Sequence, residues 1–239
     1  MAQKLFLKSF GCQMNGRDAE RITGLMRREG YETTEILEEA DLVVVHTCSI
    51  RQKAEEKAYG LLGRTRALRK SKPDLQVAIG GCVAQQQGAE LLERNLTLDV
   101  VFGTHQIRQL PELLDEARRL RRPIVQTDYD YDPDRLEGPL FWESTADGSA
   151  APTSALVTVQ EGCNKSCTYC VVPRTKGAEL CRPSGAVLNE VRRLVERGIR
   201  EIVLIGQTVN SYGKDDSADI TFPDLLRRCS EVEGVGRIR

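Results

Sequence analysis

Six of the eight cysteines in this 239-residue chain fall into two trios, and trios of thiols are metal-binding chemistry. The tighter trio is Cys163-x-x-x-Cys167-x-x-Cys170, with Tyr169 just before its last member. A zinc ribbon would use paired C-x-x-C arms at two separated sites. A bacterial ferredoxin would run C-x-x-C-x-x-C-x-x-x-C-P. The spacing fits neither. Three thiolates on one tight loop hold three irons of a cubane and leave the fourth open to a small chelating ligand. The wider trio is Cys12, Cys48 and Cys82, set 36 and then 34 residues apart. Three soft ligands select iron–sulfur or zinc over hard cations, and a 4Fe-4S cluster held by them keeps one iron free. In a reducing compartment, thiols in this number read as ligands or reactive groups before they read as disulfides. Cys181 and Cys229 lie outside both trios and read as spare thiols.

Distant cysteines converge only if the fold brings them together, and the pattern along the chain supplies a way. Lys4–Ser9, Leu42–Val45, Val77–Ile79 and Val100–Phe102 are short apolar runs, as expected for strands buried on both faces of a parallel sheet. Helical spacing lies between them, over Arg17–Glu29, from Ser49 toward Leu68, over Ala84–Arg94 and over Pro111–Leu120. Ser49 with Gln52 three residues on predicts a capping box. This alternation indicates an α/β chain opening with a doubly wound parallel sheet. Cys12, Cys48 and Cys82 each follow a predicted strand by two or three residues, one β–α period apart. In such a sheet the loops beyond the carboxyl ends of the strands share one edge, where ligands collect. Three unrelated buried thiols would be the bland explanation, but these stand in loops beside glycine or small polar residues.

Residues 128–152 break the rhythm with acidic residues, three prolines and a Ser/Ala/Gly tail, and read as an acidic linker with a short strand near Phe141-Trp142. A second run follows: a strand over Leu156–Gln160, a helix over Ser184–Arg197, a strand over Ile202–Ile205, a helix over Phe222–Ser230 and the start of a strand at Ile238. Two β/α units are too few to close a barrel. The expected division is 1–127, linker 128–152 and an incomplete second domain over 153–239.

Composition narrows the class. The chain is 40% hydrophobic and 29% charged, which excludes a disordered or collagen-like protein. No run approaches the roughly 18 apolar residues of a membrane span, and Lys4 and Lys8 interrupt the N-terminus too early for a secretory signal. The expected setting is the cytoplasm, without membrane attachment. Thirty-four basic against 35 acidic residues give a net charge of −1, so nucleic acid would have to be met by local patches. The basic runs at Arg64–Lys72 and Arg118–Arg122 read as helix ends with cations in the last turn before they read as a phosphate track.

Gly162-Cys163-Asn164-Lys165-Ser166-Cys167-Thr168-Tyr169-Cys170 resembles the cluster loop of the radical S-adenosylmethionine superfamily. Gly11-Cys12-Gln13-Met14-Asn15, His46-Thr47-Cys48-Ser49-Ile50-Arg51 and Gly206-Gln207-Thr208-Val209-Asn210-Ser211-Tyr212 narrow the resemblance to its methylthiotransferases, the MiaB type acting on tRNA N6-isopentenyladenosine. It extends over essentially the whole chain. The first of these stretches favours tRNA over the ribosomal-protein branch. The resemblance implies a radical SAM (β/α) partial barrel as the second domain and two 4Fe-4S clusters, with Cys163, Cys167 and Cys170 on the cluster that binds S-adenosylmethionine and Cys12, Cys48 and Cys82 on an auxiliary one. It implies methylthiolation of C2 of N6-isopentenyladenosine at tRNA position 37, by a monomer reduced by flavodoxin or ferredoxin. The reaction suits a radical, because a ring C–H of adenine is not acidic at any reachable pKa.

Gly206 and Gln207 stand where the superfamily commonly contacts the cofactor's amino group, and a bare strand-end turn is the competing reading. Arg182 offers a fork for a carboxylate or phosphate, although such an arginine more often reads as a solvated surface group. No catalytic residue is assigned. His46, beside Thr47-Cys48, reads as structural. Cys181 and Thr208 replace the serine and asparagine usual in the family, and the later barrel strands and the small C-terminal RNA-binding (TRAM) domain are absent, so the chain reads as truncated. A cluster-stabilised RNA-binding protein without turnover is the alternative, as is a methylthiotransferase acting on threonylcarbamoyladenosine or a ribosomal-protein aspartate.

Overall fold

The computed structural model describes residues 2–94, 97–137, 152–214 and 218–239. Contacts divide the chain into two compact units, the first running through Asp130 and the second taking Tyr131–Glu137 together with the C-terminal part. The strand suggested at Phe141-Trp142 lies outside the described residues.

The first unit is a six-stranded parallel sheet. In chain order it contains β1 (Gln3–Ser9), α1 (Gln13–Arg28), β2 (Tyr31–Thr33), β3 (Leu42–Thr47), α2 (Gln52–Ser71), β4 (Gln76–Gly81), α3 (Cys82–Gln87), α4 (Glu90–Glu93), β5 (Val100–Phe102), α5 (Leu110–Leu120) and β6 (Ile124–Gln126). Its order is β2-β1-β3-β4-β5-β6. β3 and β4 are buried at every position, as strands with helices on both faces must be. One face packs Ile22, Met26, Leu110 and Leu114 from α1 and α5. The other packs Ala58, Leu62, Val83 and Leu91 from α2, α3 and α4. The sheet is doubly wound, and its strand order reverses between β1 and β3, the switch point where such sheets bind ligands.

Several elements depart from the sequence pattern. The capping box at Ser49 does not form: α2 begins at Gln52, with Arg51 as its uncapped N-terminal neighbour. β3 runs on to Thr47, and the next residues make the loop that carries Cys48, with the Ile50 N–H directed at its sulfur. The helix expected over Ala84–Arg94 is split at Gly88, whose φ is 50°. β2 and β6 are sheet edges of three residues each, too short to show a period. Some members of the basic runs are tied down. Arg69 holds Asp99 and the Leu75 carbonyl, Lys72 holds the carbonyls of Glu39 and Ala40, and Arg118 bonds Gln76 and Asp115.

The second unit contains β7 (Ser154–Thr158), β8 (Gln160–Glu161), α6 (Val172–Thr175), β9 (Leu180–Cys181), α7 (Ser184–Glu196), β10 (Glu201–Ile205), α8 (Phe222–Ser230) and β11 (Arg237–Ile238). β11-β10-β7 form a parallel sheet, and β8-β9 a separate antiparallel pair. The strand expected over Leu156–Gln160 therefore ends at Thr158. The chain then turns at Val159, whose N–H bonds the Ile205 carbonyl, and pairs with β9. Val157, Val187, Val191, Leu194 and Ile202 are fully buried between sheet and α7. Arg135 and Leu136, in the stretch of linker composition, are buried here as well.

Candidate functional site

The wider trio follows three neighbouring strands. Ser9 of β1 lies level with His46 of β3, and His46 with Gly80 of β4. Cys12, Cys48 and Cys82 therefore leave the sheet at nearly one height, on its carboxyl edge and astride the switch point. Cys12 is the N-cap position of α1, where the helix dipole favours a thiolate. Its neighbour Gly11 is packed so closely that a Cβ there would sit 2.6 Å from the Cys48 Cβ. The Cys48 thiol is pushed well above the ordinary range. Its hydrogen bond with Cys12 is the main cause, burial the next, and negative charge at Cys82 and Cys12 adds to it. Cys48 thus feels both Cys12 and Cys82.

Asn15, buried in the first turn of α1, ties these loops together. Its Nδ2 donates to the Thr47 carbonyl at 2.9 Å and the Phe10 carbonyl at 3.3 Å, and lies 3.2 Å from His46 Nδ1. Its Oδ1 accepts from the Cys12 thiol at 3.4 Å. Thr47 Oγ1 donates to the Gly80 carbonyl at 2.8 Å and carries the connection on to β4. Asn15 and Thr47 stand in the stretches that resemble the methylthiotransferases, yet a polar residue in a loop carries no periodic signal, and nothing in the sequence gave them a role.

The tighter trio lies on the loop after β8. Cys167 is exposed, while Cys163 and Cys170 are half-buried. The Cys170 N–H bonds the Cys167 carbonyl at 3.0 Å, closing a turn inside the loop. Gly162, just before Cys163, has a φ of 79°, and a Cβ on it would run into the Ala178 carbonyl. Only glycine is comfortable there. Two glutamines grip it: its N–H donates to Gln207 Oε1 at 2.6 Å, and its carbonyl accepts from Gln160 Nε2 at 2.5 Å. Gln160 Oε1 also accepts from the Thr208 N–H at 3.1 Å, so the end of β10 is bound to the loop. Glu161 is buried between Lys176, at 2.6 Å, and Arg135. Breaking such a buried pair costs about 3–5 kcal/mol.

Of the other residues singled out from sequence, Gly206 lies against Gln160, where a Cβ would come within 2.7 Å of its Oε1. Gln207 spends its side-chain oxygen on Gly162. Arg182 is buried, with its fork directed to Glu190 at 2.6 Å, the Thr158 carbonyl at 2.8 Å and Glu137 at 3.4 Å. Among the described residues no three Cys, His, Asp or Glu side chains crowd around one metal-ion position. A cubane makes a different demand, since each thiolate takes its own iron.

Residues 4–103 match the family described as Uncharacterized protein family UPF0004. The tRNA-2-methylthio-N(6)-dimethylallyladenosine synthase of Syntrophotalea carbinolica is 46% identical over 237 residues, covering 99% of this chain and 53% of that protein. The synthase of the same name from Geobacter sulfurreducens is 44% identical over 98% of this chain and 51% of its own length. That from Aquifex aeolicus is 42% identical over 100% of this chain and 53% of its own length. The chain thus spans about half the length of these relatives. Among solved structures, the radical S-adenosylmethionine methyltransferase TsrM from Kitasatospora setae, with tryptophan and aza-SAM bound, superposes with a TM-score of 0.60 at 13% identity, covering 98% of this chain and 52% of that one. That likeness is one of fold. No helix among the described residues is long and apolar enough to cross a membrane.

Proposed function

We propose, from the premise that the chain belongs by sequence to the methylthiotransferase family of tRNA-2-methylthio-N(6)-dimethylallyladenosine synthases, that it serves methylthiolation of C2 of N6-isopentenyladenosine at position 37 of tRNA. Dimethylallyl and isopentenyl name the same side chain here. The observation that carries the reading is the pair of cysteine trios, one at the switch point of a doubly wound sheet and one on a single loop, in a chain 46% identical to such a synthase over nearly its whole length. The donor sets fit two 4Fe-4S clusters. Each is all-thiolate, each has three members, and Cys12, Cys48 and Cys82 follow three neighbouring strands in register. When bound, such clusters supply one-electron reduction of S-adenosylmethionine at one site and the sulfur to be inserted at the other.

The chain's own residues bind and hold. Cys163, Cys167 and Cys170 are the ligands at the S-adenosylmethionine site, on a loop fixed at Gly162 by Gln160 and Gln207. Cys12, Cys48 and Cys82 are the ligands at the auxiliary site, with Asn15 setting the distance between the first two loops. Gly206 keeps the end of β10 close to Gln160, and Arg182 anchors β9 through Glu190. In this reading residues 1–127 carry the auxiliary site, 128–152 connect, and 153–239 carry the start of the radical domain. The working protein is a cytoplasmic monomer that takes electrons from flavodoxin or ferredoxin and acts on tRNA.

The test is metal content with division of roles. Anaerobic reconstitution should load on the order of eight irons per chain. Cys167→Ala should abolish reductive formation of 5′-deoxyadenosine from S-adenosylmethionine, whereas Cys48→Ala should keep it and abolish sulfur transfer to tRNA. Zinc as the main metal, or loss of deoxyadenosine in Cys48→Ala with the other cluster intact, would overturn the reading. Full loading without any S-adenosylmethionine cleavage would favour an RNA-binding protein without turnover.

A further inference from the structure

We infer that Thr208 donates a hydrogen bond to the Cys163 sulfur and thereby raises the reduction potential of a cluster held by Cys163, Cys167 and Cys170. This rests on the reading above that the tighter trio holds an iron–sulfur cluster. Thr208 Oγ1 lies 3.8 Å from Cys163 Sγ. Between a hydroxyl and a free thiol either atom can donate. A sulfur bonded to iron is a thiolate without a proton, so the hydroxyl is then the only donor of the pair.

Both partners are held in place. The Thr208 N–H is spent on Gln160 Oε1, and its carbonyl accepts from the Ser211 N–H at 2.8 Å and Ser211 Oγ at 2.9 Å. With its backbone fixed at both polar groups, the side chain keeps only rotation about χ1, which β-branching restricts. On the sulfur's side, Gly162 is held at its N–H by Gln207 and at its carbonyl by Gln160. The Cys163 N–H bonds the Gly177 carbonyl at 3.2 Å. One carboxamide, that of Gln160, therefore touches both the residue before Cys163 and Thr208 itself, and sets their separation.

A donor to a ligand sulfur stabilises added negative charge, favours the reduced cluster and moves the potential upward. The electron comes from outside, from dithionite or a reduced electron-transfer protein. Thr208 keeps its proton, and no bond to it forms or breaks. Thr208 acts through the ligand, so a given donor reduces the cluster more completely.

The experiment is an EPR-monitored redox titration of the reconstituted full chain, following the signal that responds to added S-adenosylmethionine. Thr208→Val keeps the shape and removes the donor, and its midpoint should shift to lower potential. Thr208→Ser keeps the hydroxyl and should titrate with the parent. If Thr208→Val loses the cluster, Thr208→Ala carries the same comparison against Thr208→Ser. A parent and a hydroxyl-less variant with the same midpoint would overturn the inference while leaving the cluster assignment standing. A parent chain without any S-adenosylmethionine-responsive signal would overturn the assignment, and this inference with it.

Discussion

In the first unit, three thiols separated by whole β–α segments reach one edge because the strands before them are neighbours in a fixed register. In the second, three thiols share one loop, and their spacing owes nothing to a sheet. The first arrangement is rigid by topology and needs only fine adjustment, which Asn15 supplies. The second is local, and its rigidity must be imported. Gln160 and the Gly177 carbonyl supply part of it, and the stretch after β10 supplies the rest, where Gln207 holds Gly162 and Thr208 lies against Cys163. The same stretch reaches on to Arg182, whose carbonyl accepts from the Tyr212 hydroxyl at 2.7 Å, and to Ser184, whose N–H donates to Asp219 at 2.8 Å. A ligand set written in consecutive residues is easy to read in a sequence and costly to hold in a structure. The spread-out set is the reverse.

The sharpest way to break this contrast is Gly162→Ala. The substitution places a Cβ at positive φ and against the Ala178 carbonyl, so strain of at least about 2 kcal/mol is expected. The chain should unfold at lower denaturant, and the tighter trio should lose its iron while the wider trio keeps its own. Equal iron at both sites in the variant would show that the loop does not depend on the grip at Gly162.

Asn15→Ala tests the other side. Removing the amide leaves the Thr47 and Phe10 carbonyls without that donor, at a cost of about 1–3 kcal/mol. The first unit should lose that much stability, and iron should fall at the wider trio alone. Asn15→Asp should be worse than Asn15→Ala, because a carboxylate would face two carbonyl oxygens and the Cys12 sulfur. A neutral Asn15→Ala in both stability and iron would mean that the register alone sets the crevice.

The sequence reading succeeded where a physical period or spacing exists. Val43, Val44 and Val45 are buried as a continuous β-branched run in a parallel sheet should be, and the near-equal intervals of Cys12, Cys48 and Cys82 translate into adjacent strand ends. It failed where one polar group decides. Ser49 has the letters of a capping box, but the loop geometry spends the Ile50 N–H on Cys48 and starts the helix later. Arg182 does meet carboxylates through its fork, but they are the internal ones of Glu190 and, 45 residues away, Glu137, and only the fold reveals that it is buried with them. Gln160 read as the end of a strand, and its side chain joins the cluster loop to β10. Long-range side-chain partners have no period to detect.

The smallest expected effect is at the far end of the stretch that supports the tighter trio. Asp219 accepts from the Ser184 N–H at 2.8 Å and from the Ser184 hydroxyl at 2.5 Å, at the first residue of α7. These two bonds hold its carboxyl below the usual carboxylate range. Asp219→Asn keeps an acceptor oxygen but loses the charge that favours the helix N-terminus, so about 0.5–1 kcal/mol should be lost at neutral pH. The sign of the pH dependence follows from the depressed pKa. Stability owed to the charge is fully present above the unfolded pKa, about 4, and is lost as pH falls through the lower folded value. Urea unfolding of parent and variant should therefore differ by a constant amount above about pH 5 and converge in more acid solution. A difference that persisted unchanged into acid would mean that the carboxylate charge contributes nothing. Asp219 would then act only as a neutral hydrogen-bond acceptor for α7.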